Sequence, residues 1–447
     1  MLTGSILLAA ALATASGGCG PRISEPARAN IAARIEAAEF RGLVIGIVDR
    51  RGRCTEGFGT LSAKRPVAPD GDTLFEIGSI TKVFTATLLA AEVESGRISL
   101  DTPLGQILPV PPASDAASVT LEELATHRSG LPSLPRNLPS RNPADPYAGY
   151  TQDLLLSHLA ELKLSPRPRP YAYSNLALGT LGEALAVRFG EPYAQLLSRR
   201  LLRPLGLRRT FVDVPTQLRA ILAPGHSGLE PTSGWSLGVL AGAGALHSSA
   251  NDLLRFLDVQ LRPRGPLAGA ITLTHTERRA TAIPATAVGI GWHIRRRPST
   301  PEILWHNGGT GGYASFAGFD RNAGRGVTVL TNTEASVDDL GMHLLSPADP
   351  LAKPRPLLRL PIADLERFTG GYALPGGNRL TVTRIGEQLY LAGSAGGRTA
   401  LFASAPSRFF LRALPVEVEF TAPPGEKPSA MTVIQSGLPT IARRVPE

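Results

Sequence analysis

The sequence predicts an α/β (α+β) protein: a mixed antiparallel sheet flanked by helices, with a large helical subdomain and a small antiparallel β domain at the C-terminus. Three observations predict it. A buried-strand pattern occurs at residues 43–49, and comparable patterns return only after residue 289. Between them, residues 76 to about 280 carry helical patterns broken by proline and glycine. After residue 361 the character changes to short alternating segments separated by Gly, Pro and Asn.

The elements follow in order. Residues 27–40 read as an amphipathic helix and 43–49 as a buried strand. The polar turn 50–53 leads to a second strand near 57–62, which makes a hairpin. Helices are expected at 83–94, 121–126, 153–162, 176–189, 194–201 and 250–261. Strands are expected at 289–294, 303–306, 314–319 and 327–331, and a helix at 337–345. The economical arrangement places early and late strands in one sheet, with the helical block beside it and a cleft between them. Residues 346–361, with Pro347, Pro350, Pro354, Pro356 and Pro361, read as a linker. The tail 362–447 reads as a small antiparallel barrel or sandwich, with strands near 380–383, 388–392, 409–411, 416–420 and 431–434.

Composition narrows the function. Of 447 residues, 43% are hydrophobic and 19% charged, values of an ordinary globular chain. The net charge of +9 is spread as scattered arginines without a basic stripe interleaved with aromatics, which argues against nucleic-acid binding. Eight histidines lack metal-ligand spacing, so neither a metal nor another cofactor is expected. Residues 1–18 carry no charge, and 6–15 form an apolar run of signal-peptide length. Residues 1–19 therefore read as an export signal, which directs the protein to the periplasm or outside the cell. The Gly18-Cys19 junction resembles a lipoprotein cleavage site, although Ser16 stands where leucine is usual. Cys19 has two open fates: lipidation, which would attach the chain to a membrane, or a disulfide with Cys54, the other cysteine.

The chemistry centres on Ser79-Ile80-Thr81-Lys82, at the mouth of an apolar helix. Residues at i and i+3 share a helical face, so the hydroxyl and the amine can meet. A lysine that loses its proton can take one from the serine and make it a nucleophile. Lysine is scarce here: of 46 basic residues, five are lysine, and Lys82 alone follows a serine by three positions. Arginine does not deprotonate in proteins, whereas a buried lysine shifts its pKa readily. The local residues also allow a half-exposed lysine at the start of a core helix.

Two further motifs stand in the same order along the chain. Tyr173-Ser174-Asn175 precedes a helix, where it either presents a phenol and an amide to the cleft or caps the helix through Asn175. His306-Asn307-Gly308-Gly309-Thr310-Gly311-Gly312 follows a strand and reads as a glycine hairpin or as backbone left available to a ligand. His127-Arg128-Ser129-Gly130-Leu131-Pro132 is a polar turn expected at the rim, and Gly242-Ala243-Gly244-Ala245 a close-packed segment near the cleft.

Together, residues 25–345 resemble the penicillin-recognising serine hydrolases, with the β-lactamase/transpeptidase-like fold. The branch is that of class C β-lactamases, D-alanyl-D-alanine carboxypeptidases, D-aminopeptidases and related esterases. The tail is similar to a small β domain found on many members. The resemblance implies that Ser79 is acylated and that Lys82 and Tyr173 share the general-base role. It implies that Asn175 orients the substrate amide and Lys82, and that the N–H groups of Ser79 and Gly309 form an oxyanion hole. His306, Asn307 and Gly308 would bind substrate, a small molecule or a peptidoglycan-like peptide. His306 stands where many β-lactamases carry lysine. An imidazole is mostly neutral at neutral pH, so a substrate carboxylate would need a nearby arginine instead.

Gly234-Trp235-Ser236-Leu237-Gly238 matches the nucleophile elbow of another hydrolase class, but polar residues replace the buried strand that elbow requires. Three functions are open at this point: a turnover hydrolase of D-amino-acid peptides, β-lactams or small esters; a receptor that stays acylated; and a non-catalytic scaffold.

Overall fold

The structure, a computed structural model, describes residues 18–446 except 141, 282, 299, 301, 356, 394–396, 424 and 436. The export-signal expectation lies outside the described residues, apart from Gly18 and Cys19.

Helix α1 (Glu25–Glu36), capped by Ser24, leads into β1 (Gly42–Asp49) and β2 (Gly52–Gly59). β2 begins earlier than its sequence pattern predicts, because Asp49 pairs directly with Gly52 across the turn. β3 (Leu74–Glu76) precedes α2 (Thr81–Glu94), and the helical block continues with α3 (Leu121–Ala125), α4 (Gln152–Glu161), α5 (Asn175–Phe189) and α6 (Tyr193–Leu197). A hairpin of β4 (Gly225–Ser227) and β5 (Glu230–Thr232) follows, then α7 (Ala241–Gly244), β6 (His247–Ser249), α8 (Ala250–Leu261) and α9 (Ala268–His275). β6 pairs with β3.

The main sheet is completed by β7 (Arg279–Ala280), β8 (Thr286–Val288), β9 (His293–Arg295), β10 (Ile303–Gly309), β11 (Ala314–Asp320) and β12 (Arg325–Thr331), in the order β2-β1-β12-β11-β10-β9-β8-β7. The predicted strand at 289–294 is split, since Gly291 adopts φ +81° and the Gly289 N–H turns back to the Trp292 carbonyl. Among the described residues every strand pairing in this sheet is antiparallel, and β1 joins β12, so early and late strands share one sheet.

Alternation along the strands separates two cores. Val44 and Val48 of β1 face Leu254 and Leu257 of α8. Leu43, Ile45 and Ile47 face the other way, onto Ala27 and Ile31 of α1 and Leu340 and Leu344 of α10 (Asp338–Leu345). The helical block packs with the first core, so the cleft opens between that block and the β10 side of the sheet.

After α11 (Ile362–Glu366) the chain closes an antiparallel barrel of β13 (Gly370–Ala373), β14 (Arg379–Ile385), β15 (Gln388–Gly393), β16 (Arg398–Ala405), β17 (Arg408–Phe410), β18 (Val416–Thr421), β19 (Ala430–Gln435) and β20 (Leu438–Val445). Three of these, β13, β16 and β20, lie beyond the sequence expectation. β13 opens on Gly370-Gly371 and β20 contains Pro439, both poor strand signals. The barrel has its own core around Phe368, Tyr372, Phe409 and Phe420.

It docks through polar contacts: Tyr390 donates to the Ser227 carbonyl at 2.9 Å, and Arg412 donates to the carbonyls of Ala37 and Ala38. Cys19 is bonded to Cys54, with Cα atoms 5.3 Å apart. Of the two fates the sequence leaves open for Cys19, the structure has the disulfide. Among the described residues no helix is long and apolar enough to cross a membrane.

Candidate active site

Ser79 sits in a single 3-10 turn, Gly78–Ile80, that runs into α2. Gly78 adopts φ +48°, and a Cβ there would lie 2.7 Å from the Gly309 nitrogen. Only glycine allows both the backbone angle and this approach, which brings the end of β10 against the Ser79 turn. Ser315 fastens the approach by donating from Oγ to the Ile77 carbonyl at 2.9 Å.

Lys82 lies one turn further along and is fully buried. Its Nζ is 2.7 Å from Ser79 Oγ and 2.7 Å from the Ala243 carbonyl oxygen. Ala243 belongs to the close-packed segment noted in the sequence, now α7. Burial pushes the Lys82 amine well below its ordinary pKa. The Tyr173 ring stands 5.0 Å from Nζ.

Burial holds the Tyr173 phenol above the usual tyrosine range, outweighing the opposing influence of the nearby Ser79 hydroxyl. The turn 127–133 positions it from behind rather than forming a rim. His127 accepts the Ser174 N–H at Nδ1 (3.1 Å), and its ring lies 4.5 Å from that of Tyr173. Ser174 donates to the Pro132 carbonyl at 2.7 Å and accepts the Ala177 N–H, so Ser174, not Asn175, caps α5. Asn175 turns its amide toward the Tyr147 hydroxyl at 3.4 Å. The expected contact between Asn175 and Lys82 is replaced by the Ala243 carbonyl.

His306 is also corrected. It is only 1% exposed and does not border the cavity in front of Ser79. Its ring packs 4.9 Å from His293 and 6.3 Å from Tyr173, and its Nδ1 lies 2.6 Å from the Asn307 carbonyl oxygen. Burial, then neighbouring His293 and Lys82, hold His306 well below the usual histidine pKa. Burial and Lys82 bring His293 to about 4, and burial likewise lowers His127. Three neutral imidazoles thus surround Lys82 and Tyr173. His293 was invisible in the sequence as a site residue, because only the pairing of β9 with β10 brings it here.

The opposite wall differs. A cavity of about 270 Å³ opens in front of Ser79, bordered by Asn307, Gly308 and Gly309. It is also bordered by Trp235, named above only within the 234–238 elbow, and by Glu334, Asp338 and Arg398, which the sequence reading did not name. Ser236, in the loop beside Trp235, donates its N–H to Asp145, and its loop follows only the three-residue β5. Burial raises Glu334 to about 7 and Asp338 to about 6, against hydrogen bonds from Ala400 N–H and from Asn307 Nδ2 (2.7 Å), respectively. Burial likewise raises Glu76 to about 7, against the opposing influence of Thr310 and the Trp235 backbone. No cluster of metal-donor side chains occurs among the described residues.

A serine and a buried amine on one helical turn, beside the end of strand β10, define a serine acyl hydrolase. The family model described as Beta-lactamase matches residues 27–345, and the chain belongs to that family. Over 308 residues it is 28% identical to the D-alanyl-D-alanine-carboxypeptidase/endopeptidase AmpH of Escherichia coli (strain K12), covering 64% of this chain and 79% of that protein. The structure of a class C beta lactamase from Rhodobacter sphaeroides superposes with a TM-score of 0.62 at 27% identity, over 69% of this chain and 94% of the other. The octameric penicillin-binding protein homologue from Pyrococcus abyssi (TM-score 0.65, 20% identity) covers 94% of this chain and 99% of its own, and shows fold alone.

Proposed function

We propose that this serine hydrolase is of the class C β-lactamase / D-alanyl-D-alanine carboxypeptidase type, is exported, and works through an acyl-enzyme at Ser79 on D-amino-acid peptides, β-lactams or small esters. The observation that carries the reading is Lys82: wholly buried, and hydrogen-bonded to Ser79 and one carbonyl. Half-neutrality at pH 7 requires a differential of about 4–5 kcal/mol against the ammonium, and desolvation acts in that direction.

The neutral amine donates to the Ala243 carbonyl and accepts the Ser79 proton as Oγ attacks the substrate carbonyl. Negative charge develops on the carbonyl oxygen, toward the N–H groups of Ser79 and Gly309, donors worth about 3–4 kcal/mol each in other enzymes. Tyr173, kept as a neutral phenol, relays the proton to the departing group. Its raised pKa moves the base role from a shared duty onto Lys82. Asn175, held by the Tyr147 hydroxyl, keeps the assigned role of orienting the substrate amide. The Cys19–Cys54 disulfide supports export, since such bonds persist in oxidising compartments.

Purified wild type and Ser79→Ala are compared on a chromogenic cephalosporin, a p-nitrophenyl ester and a D-alanyl peptide, with intact-mass detection of adducts. Turnover that Ser79→Ala eliminates is expected. A stable adduct without turnover would identify a receptor instead, and neither turnover nor adduct would leave a scaffold.

A further inference from the structure

The cavity in front of Ser79 is not built by the hydrolase domain alone. Its far side is the first half of β16, in the C-terminal barrel. β17 pairs with β16 only from Phe402 onward, so one edge of the preceding residues is unclaimed within the barrel. Arg398 and Ala400, two residues apart, point their N–H groups to that edge. The Ala400 N–H donates to Glu334 Oε1 at 3.0 Å, on the sheet side of the cleft. The Arg398 N–H donates to the Pro143 carbonyl at 3.2 Å, on the helical side. β16 is therefore fastened to both walls, and it carries Arg398 into the cavity.

Arg398 is the single basic side chain among the described residues that border this cavity. Its guanidinium stacks over the Tyr390 ring, 4.8 Å from the centroid, and Tyr390 is itself tied to the Ser227 carbonyl. The arginine is thus held by a ring rather than by an acid. Among the described residues, the barrel's ion pairs are Arg355–Glu417, Arg359–Glu387, Arg384–Glu366 and Arg408–Glu419; Arg398 is in none of them. The two acids on the same lining are turned to other donors, Glu334 to Ala400 and Asp338 to Asn307. His306, at the position expected to face a substrate carboxylate, is buried and neutral.

We propose that Arg398, supplied by the C-terminal barrel, is the carboxylate anchor of the Ser79 site. The preferred substrate then carries a free carboxylate within a few atoms of its scissile acyl bond. A planar guanidinium matches a carboxylate with two parallel hydrogen bonds, and a half-buried setting strengthens them. The inference rests on the hydrolase reading above and names its substrate class.

The test uses the full chain and a matched pair of probes, acetyl-D-alanyl-D-alanine and its C-terminal carboxamide. Binding is measured in the Ser79→Ala background, so it reads the anchor whether or not the wild type turns over. The carboxylate form should bind tighter than the amide, and Arg398→Ala should reduce that preference about ten- to hundredfold, the size of one charge-assisted hydrogen bond. Arg398→Lys should restore part of it. With Ser79 present, the loss of selectivity should appear in KM rather than kcat. Arg384→Gln, a barrel arginine away from the cavity, should keep the wild-type preference. Arg398→Gln replaces the alanine variant if melting shows the latter unfolded. An equal loss for both probes, or a preference that Arg398 variants do not change, overturns the anchor. So does the lack of any carboxylate preference. Failure of every member of the three-substrate panel to turn over through Ser79 would instead overturn the hydrolase reading.

Discussion

Ser79 stands between two walls that handle buried charge in opposite ways. On one side Lys82, His127, His293 and His306 are bases pushed toward neutrality by burial. On the other, Glu76, Glu334 and Asp338 are acids pulled toward neutrality by burial. Elsewhere the protein keeps buried charge by pairing it, as in Arg34 with Glu39 and Asp339. Burial is the leading cause on both walls, and at Lys82 it acts alone. The acid wall opposes desolvation with donated hydrogen bonds, so Glu334 and Asp338 titrate near 7 and 6. The base wall is thus made for proton transfer, and the acid wall responds to pH in the physiological range.

The contrast breaks most directly at Lys82. Lys82→Arg installs a group that stays charged, and kcat/KM should fall by about 10³-fold or more. In the wild type kcat/KM should rise with pH through the lowered pKa of Lys82, and that limb should be missing in the residual activity of the variant. Gly78 joins the walls, and Gly78→Ala forces a side chain against Gly309 at a positive φ. Loss of the oxyanion donors' alignment should cost about 10²–10³ in kcat, with little change in acid-side titration. Tyr173→Phe keeps the ring beside Lys82 but removes the relay, and should cost about 10²-fold in single-turnover acylation.

The smallest effect sharpens the acid side. Glu334 holds its proton more tightly folded than unfolded, so its contribution to stability is complete below about 4.5 and is lost as pH rises through about 7. Up to about 3 kcal/mol is at stake. Glu334→Gln keeps an acceptor for the Ala400 N–H, so the fall in melting temperature between pH 5 and 8 should shrink. Lys82 acts with the opposite sign, since its depressed pKa makes the folded state cost more as pH falls. An unchanged pH slope in Glu334→Gln would remove the acid half of the comparison.

Local patterns carried much of this into the sequence. Ser79 and Lys82 were legible because a helix fixes the distance between i and i+3, and because lysine is rare in the chain. β1, β10, β11 and β12 were legible through apolar runs of strand length. Tyr173 was legible only through its order relative to Ser79 and His306. The burial of His306 was not legible, since it depends on β9 and on His293 lying beside it. Nor was Arg398, one of 46 basic residues, distinguished only by the strand that carries it across the cleft.

That strand has a mechanical consequence. β16 is bonded to Pro143 on one wall and Glu334 on the other, through residues two apart. In an extended strand such a span is about 7 Å, a length set by covalent geometry rather than by side-chain packing. β16 therefore works as a gauge block between the walls. Breathing motions that widen the gap must first release the barrel at one end.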